Sequence, residues 1–271
     1  MQSVIQGEYF LMDRTLKSVS FLNTSMCKST TCIYEVIRVS HAKPLFWNDH
    51  LERLANSLKI AGFEPSIKLT GLLPKIKMLI STNAIQDGNI KLEFRYLSNG
   101  ERQFMAYFTP TNYPNKEQEI DGIQCSFQFS ERHHPTAKIY NAEVRGKANT
   151  IIEQREVYET ILVNHDNCLT EGSRSNLFFI KDDALITAED TIVLPGIIRK
   201  QILNIAKEEG LPVYFRAVAM DEVDQMEAAF ITGTSPRILP IALLGKVTFK
   251  VDHPLFIRLK QLFNNRIKEQ Y

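Results

Sequence analysis

This 271-residue chain has no apolar run approaching the roughly 18 residues that a membrane-spanning helix needs, so no span is expected. It opens Met1-Gln2-Ser3, which starts no signal peptide, and a cytoplasmic location is the expectation that follows. An excess of either charge is also missing. The 32 Lys and Arg against 31 Asp and Glu leave a net +1, which argues against an overall field that would draw nucleic acid or an anionic membrane. Cysteine is scarce: Cys27, Cys32, Cys125 and Cys168 contain no Cys-x-x-Cys pair and are too few for a disulfide scaffold, so reduced, structural thiols are expected. The six histidines are scattered except for His133-His134. Sequence neighbours point different ways in an extended chain, and no third ligand stands at ligand spacing, so no metal site is expected.

What is present is a composition for burial. With 44% hydrophobic and 23% charged residues and no low-complexity stretch, the chain can bury one large core or two modest ones. A short opening strand is expected at Tyr9-Phe10-Leu11, and a clearer one at Ile33 to Val39, rich in β-branched residues. Helical spacing over Asn48 to Leu58 predicts a helix with Asn48 or Asp49 as its N-cap. A second helix is read from Thr70 to Ser81, then strands Ile90 to Tyr96 and Gln103 to Phe108 joined by a turn at Ser98-Asn99-Gly100-Glu101. The polar, proline-containing, aperiodic stretch Thr109 to Glu117 is the best domain boundary. The expectation is therefore a smaller α+β domain over 1–112, a linker at 113–119 and a larger domain over 120–271. In the latter, a strand over Gly122 to Phe129, an amphipathic helix from Asn141 to Tyr158 and a hairpin around Lys181-Asp182-Asp183 are expected. A helix to Glu209, a buried strand at Ala228 to Ser235 and a closing helix over Pro254 to Lys268 complete it.

Three features bear on chemistry. Lys138, in Lys138-Ile139-Tyr140-Asn141, precedes Glu171 by 33 positions, a stretch that can bring a lysine and a carboxylate to opposite sides of one pocket. A helix starting just after Gly196 offers amides and a positive dipole end to an anion. An arginine such as Arg53 suits a buried phosphate because its rigid fork makes two charge-assisted hydrogen bonds.

The block Thr170-Glu171-Gly172-Ser173-Arg174-Ser175-Asn176 resembles the signature of the fold-type IV, or class IV, pyridoxal-phosphate aminotransferases. Tyr34-Glu35-Val36-Ile37-Arg38 followed by His50-Leu51-Glu52-Arg53-Leu54, and Leu194-Pro195-Gly196-Ile197-Ile198-Arg199, resemble further blocks of that family. The resemblance spans about residues 33 to 240. It implies an α+β, two-domain fold of the D-amino-acid aminotransferase kind, with a smaller N-terminal α/β domain and a larger C-terminal, mixed, β-barrel-like domain with helices.

For the site, it implies pyridoxal 5'-phosphate on Lys138 as a Schiff base, Glu171 beside the pyridine nitrogen, and Arg53, Ile197, Ile198 and Thr234 around the phosphate. Ser175 and Asn176 complete the cofactor loop. A lysine suits this chemistry because burial lets it lose its proton, and a fixed carboxylate keeps the ring nitrogen protonated. Lys147 also precedes the motif, but the family's Lys-x-x-Asn before a helix matches Lys138. Where relatives carry Thr, Ile198 removes one hydroxyl; Cys27-Lys28-Ser29-Thr30-Thr31-Cys32 replaces a glycine-rich approach, and Pro236-Arg237 replaces a small residue and Glu. Tyr34, Arg95 and Arg237 are the candidates for reading the substrate.

The activity implied is amino transfer between an amino acid, branched-chain ones among the candidates, and a 2-oxo acid, by a homodimer. The alternatives are an aminodeoxychorismate lyase using the same lysine, and an inactive binding protein on the same scaffold.

Overall fold

The computed structural model describes residues 5–21, 29–65 and 67–271; Met1-Gln2-Ser3, Cys27 and Lys28 lie outside them. Two compact units emerge. The first comprises residues up to Asn112 with Ala137–Tyr140 and Gln270–Tyr271, and the second Tyr113–Thr136 with Asn141–Glu269.

In the first unit, strands β1 (Gln6–Met12), β2 (Thr15–Ser18), β3 (Ser29–Ser40), β4 (Lys43–Pro44), β5 (Gly88–Leu97) and β6 (Arg102–Thr109) form one antiparallel sheet in the order β2-β1-β6-β5-β3-β4. Helices α1 (Trp47–Ile60) and α2 (Leu72–Asn83) share its core. Alternation explains the packing: Ile33, Ile37 and Val39 of β3, Ile90, Leu92 and Phe94 of β5, and Phe104, Ala106 and Phe108 of β6 join Leu54, Leu58, Ile76 and Leu79 of the helices. Glu35 falls in the same alternating row as Ile33 and Ile37, and is fully buried. The opposite face of β5 carries Lys91, Glu93 and Arg95, with Tyr34 directly across from Glu93.

The second unit contains α3 (Lys116–Asp121), β7 (Ile123–Phe129), α4 (Ala142–Arg155), β8 (Glu159–Val163), β9 (Cys168–Gly172), β10 (Asn176–Lys181), β11 (Ala184–Thr187) and α5 (Ile197–Glu208). They are followed by β12 (Val213–Phe215), β13 (Val218–Ala219), β14 (Ala228–Gly233), β15 (Arg237–Leu244), β16 (Val247–Thr248) and α6 (Pro254–Lys268). Strands β10-β14-β15-β7-β8-β9 form a closed ring, because β9 pairs with β10 as well as with β8. Apolar residues of alternate parity, among them Leu177, Phe179, Ile231, Leu239, Ile241, Ile161 and Cys125, make one core. The other parity of β10 and β14 supplies Phe178 and Phe230, stacked at 5.0 Å, and Phe256 of α6 lies 5.4 Å from Phe230.

Several expectations need correction. The N-cap of α1 is Phe46, held left-handed at φ 49 with no side-chain cap, so Asn48 and Asp49 lie in the first turn and neither is the N-cap. The helix expected at Thr70 opens as a 3₁₀ turn at Leu69–Gly71 before α2. The stretch expected as a linker, 113–119, runs into α3, which a reciprocal capping box between Asn115 and Gln118 starts. α4 ends at Arg155 rather than Tyr158, and among its residues Val144 and Ala148 are the buried ones, so it is mostly a solvated helix. β15 was not anticipated because prolines 236 and 240 interrupt its pattern; Pro240 nevertheless sits opposite Phe230. Cys32, Cys125 and Cys168 are free thiols, and among the described residues no helix is long and apolar enough to cross a membrane.

Candidate active site

The first unit contributes a buried charged trio. Arg53 Nε donates to Glu35 Oε1 and Nη2 to Oε2, each at 2.7 Å, and His50 Nδ1 lies 2.8 Å from Oε2. His50 and Arg53 fall one turn apart on the face of α1 that meets β3, which is why helical spacing delivers both to one carboxylate. Burial alone would raise the Glu35 carboxyl, but the Arg53 guanidinium and then His50 outweigh it and hold it below the usual carboxylate range. Burial holds His50 below its ordinary value against the pull of Glu35, and the Arg53 and Lys138 charges add to that lowering.

Lys138 is tied to the same unit through its backbone. Its N–H donates to Ser57 Oγ (3.0 Å), whose hydroxyl donates to the Arg53 carbonyl (2.8 Å). Its carbonyl accepts from Tyr34 N (3.1 Å), and Ile139 bridges Ile33. Lys138 is half-buried, with Nζ 5.0 Å from the centroid of the Tyr34 ring. Asn141, the last letter of the Lys-x-x-Asn motif, caps α4 by accepting from Val144 N. The rival Lys147 is exposed and pairs with Glu143 one turn away on that helix.

Beside Tyr34 runs a charged row. Glu93 is paired with Lys91 and, at 2.9 Å, with Arg95, and Lys91 Nζ lies 5.2 Å from the Tyr34 ring centroid. Burial, then Glu93, pushes the Cys32 thiol up to about 12 and raises the Tyr107 hydroxyl. Burial would lower Lys91, but Glu93 more than offsets it and raises the ammonium above its ordinary value. Arg95 lies beside Glu93 in this row.

In the second unit Glu171 is buried at the end of β9. Arg132 Nε lies 2.7 Å from Oε1, while Oε2 accepts from Leu194 N (3.2 Å) and Asn176 Nδ2 (3.3 Å). Asn176 Nδ2 also donates to the Leu194 carbonyl (2.8 Å), joining the carboxylate to the segment that leads into α5. Ser175 turns elsewhere, its hydroxyl donating to Glu159 at 3.0 Å. At Gly196 a Cβ would lie 1.8 Å from Asn176 Oδ1, so a side chain there would push the Asn176 amide aside. It begins α5 with no side-chain cap, and Ile197 and Ile198 form the first turn. Thr232, opposite Asn176 in the sheet, keeps a fully buried hydroxyl with no hydrogen-bond partner among the described residues. Thr234 and Arg237 are half-buried, and Arg237 has a positive φ of 57°.

The expected residues therefore fall in two groups: Arg53, Lys138, Tyr34 and Arg95 in the first unit, and Glu171, Ser175, Asn176, Ile197, Ile198, Thr234 and Arg237 in the second. Glu35, Arg132 and Glu159 were not identified from sequence. An acidic residue in an otherwise apolar alternating row was the available signal for Glu35. Arg132 follows β7 in an aperiodic loop and had no local signal.

The chain matches the family model described as Amino-transferase class IV over residues 32–244. It is 28% identical over 237 residues to a D-alanine aminotransferase of Bacillus licheniformis, covering 82% of each chain. Its fold is similar to that of the branched-chain amino acid aminotransferase from Escherichia coli, with a TM-score of 0.86, 21% identity and coverage of 97% and 95% of the two chains. A structure of a putative 4-amino-4-deoxychorismate lyase from Legionella pneumophila is similar with a TM-score of 0.75, at 22% identity and 86% and 90% coverage.

Proposed function

Because the chain belongs to the class IV aminotransferases, we propose that it moves an amino group from an amino acid to a 2-oxo acid using pyridoxal 5'-phosphate. The observation that carries this reading is the buried Glu171 carboxylate, fixed by Arg132, Asn176 and the Leu194 amide in the unit whose α5 starts uncapped. These features fit the cofactor: an acid for a pyridine nitrogen, an amide-rich helix start for a phosphate, and an orphaned Thr232 hydroxyl that needs a partner.

When bound, the cofactor supplies an aldehyde for amines and a ring that withdraws electrons from the substrate carbon. Lys138 Nζ would be the amine that holds the aldehyde and, when free, the base that moves a proton at the substrate Cα. Arg53, oriented by its two bonds to Glu35, would be the first unit's phosphate ligand, and the amides of Ile197 and Ile198 with Thr234 would be the second unit's. Glu171 keeps the ring nitrogen protonated, and Asn176 holds Glu171 in place. Tyr34, Arg95 and Arg237 read the substrate. The Lys91–Glu93–Arg95 row carries one net positive charge, which suits one substrate carboxylate. The same reading makes the protein a cytoplasmic homodimer.

The purified protein should be yellow, and borohydride reduction with peptide mapping should place the pyridoxyl mass on Lys138. Colourless protein that takes up no cofactor refutes the reading, and label on Lys147 refutes the choice of lysine. Amino transfer that depends on a 2-oxo acid is the expected turnover; pyruvate release from aminodeoxychorismate would make it a lyase instead. Light scattering at the mass of one chain would refute the dimer.

A further inference from the structure

The ring of strands in the second unit has one weak seam. β9 and β10 share a single register pair, Glu171 opposite Asn176. Away from that pair β9 runs with β8 and β13, and β10 with β11 and β14. A hairpin with one ladder pair does little to set its own register, and a slip of one residue would turn Glu171 to the other face. Something besides the ladder has to hold the turn of residues 172–175.

Arg132 ties one point of it, its Nη2 donating to the Ser173 carbonyl (2.8 Å); most of the turn's remaining donors go to Glu159, the first residue of β8, which is 3% exposed. Its Oε1 accepts from Ser173 Oγ (2.7 Å) and Thr160 N (2.9 Å). Its Oε2 accepts from Ser175 Oγ (3.0 Å) and Arg174 N (3.1 Å). Three of the four donors belong to the turn. Gly172 closes it by donating to the Ser175 carbonyl (2.8 Å), and a Cβ at Gly172 would lie 2.0 Å from Ser175 Oγ and 3.2 Å from Glu159 Oε2. Ser173 N, bonded to the Thr160 carbonyl at 2.9 Å, pins the turn to β8 a second time.

We propose that Glu159 is the positioning residue for Glu171: its carboxylate collects Ser173, Arg174 and Ser175 and so fixes the turn that presents Glu171 beside Asn176. The inference rests on the reading of Glu171 as the acid at the ring nitrogen. It also explains why the Ser175 hydroxyl faces Glu159. A carboxylate is required rather than an amide. Each oxygen faces one backbone N–H, of Thr160 or of Arg174, so whichever way a glutamine at 159 is turned, its NH₂ meets a donor that cannot rotate away.

The test is Glu159→Gln, with Ser175→Ala as the milder variant should the first fail to fold. Hydrogen exchange on the cofactor-free protein should show the Arg174 amide exchanging at least tenfold faster, while amides of α6 keep their protection. Loaded with ¹⁵N-ring-labelled pyridoxal phosphate, the variant should show the ring-nitrogen resonance moved toward the unprotonated position, and Kd for the cofactor raised at least tenfold. Unchanged exchange at Arg174 would overturn the proposal. So would faster exchange with the ring nitrogen still protonated and Kd unchanged, since Glu159 would then hold the turn without positioning Glu171. If the unaltered protein binds no cofactor, the reading of Glu171 fails, and the exchange result still decides whether Glu159 holds the turn.

Discussion

Glu35→Gln tests the buried trio of the first unit. The substitution keeps the size and shape of the side chain but removes the charge that satisfies both Nε and Nη2 of Arg53, which is 7% exposed, and the ring of His50. Removing one partner of a buried ion pair leaves the other charge poorly compensated, at a cost of about 3–5 kcal/mol. Unfolding entropy of about 2.1 cal/mol/K per residue amounts to roughly 0.6 kcal/mol/K over this chain, so the expected fall in Tm is about 5–9 °C. Differential scanning calorimetry of the cofactor-free protein measures it. The double variant Glu35→Gln, Arg53→Met should recover much of that loss, because replacing both charges of a buried pair is often close to neutral. It should still bind cofactor poorly, because the phosphate has lost its guanidinium. A fall in Tm below about 1 °C for Glu35→Gln would refute the reasoning, as would a double variant less stable than the single one.

Arg132→Met should remove the guanidinium 2.7 Å from Glu171 Oε1 and weaken cofactor binding at least tenfold, as read by fluorescence titration, with Arg132→Lys recovering part of it. Gly196→Ala should displace Asn176, whose Oδ1 a Cβ would meet at 1.8 Å, and lower cofactor uptake. Gly146→Ala, in α4 with nothing within 4 Å of the new methyl, should instead stabilise by about 0.5–1 kcal/mol. The folded values of His50 and Glu35 both lie below their ordinary 6.5 and 4.5, so each contributes stability above its ordinary value and loses it as pH falls. Tm should therefore decline below about pH 6.5 and more steeply below about 4.5. His50→Gln should remove the upper step; a wild-type Tm unchanged down to pH 5 would contradict it.

Local pattern was enough for much of the fold. The β-branched alternation of β3, the turn-bounded hairpin of β10 and β11, the glycine-started α5 and the closing helix α6 each follow from preferences that act within a few residues. Those same short ranges made Lys138 and Glu171 legible as candidates, because a loop-to-helix lysine and a Thr-Glu-Gly strand end are local motifs. Local reasoning was weakest where a side chain's local preference was overridden, as at Phe46, whose left-handed backbone starts α1 ahead of the polar residues that could have capped it.

What the sequence by itself determined is therefore most of the longer elements, though not α3 or β15, and the candidacy of Lys138 and Glu171. Only the tertiary structure decided the partners: Arg132 with Glu171, Glu159 with the turn at 172–175, and Glu35 between His50 and Arg53. Each pairing joins residues from different elements, and sheet register and the packing of a helix on a strand set their meeting, which no periodicity within either segment encodes. The single rung between Glu171 and Asn176 that closes the ring is likewise a product of register, and a shift of one residue in either strand would erase it.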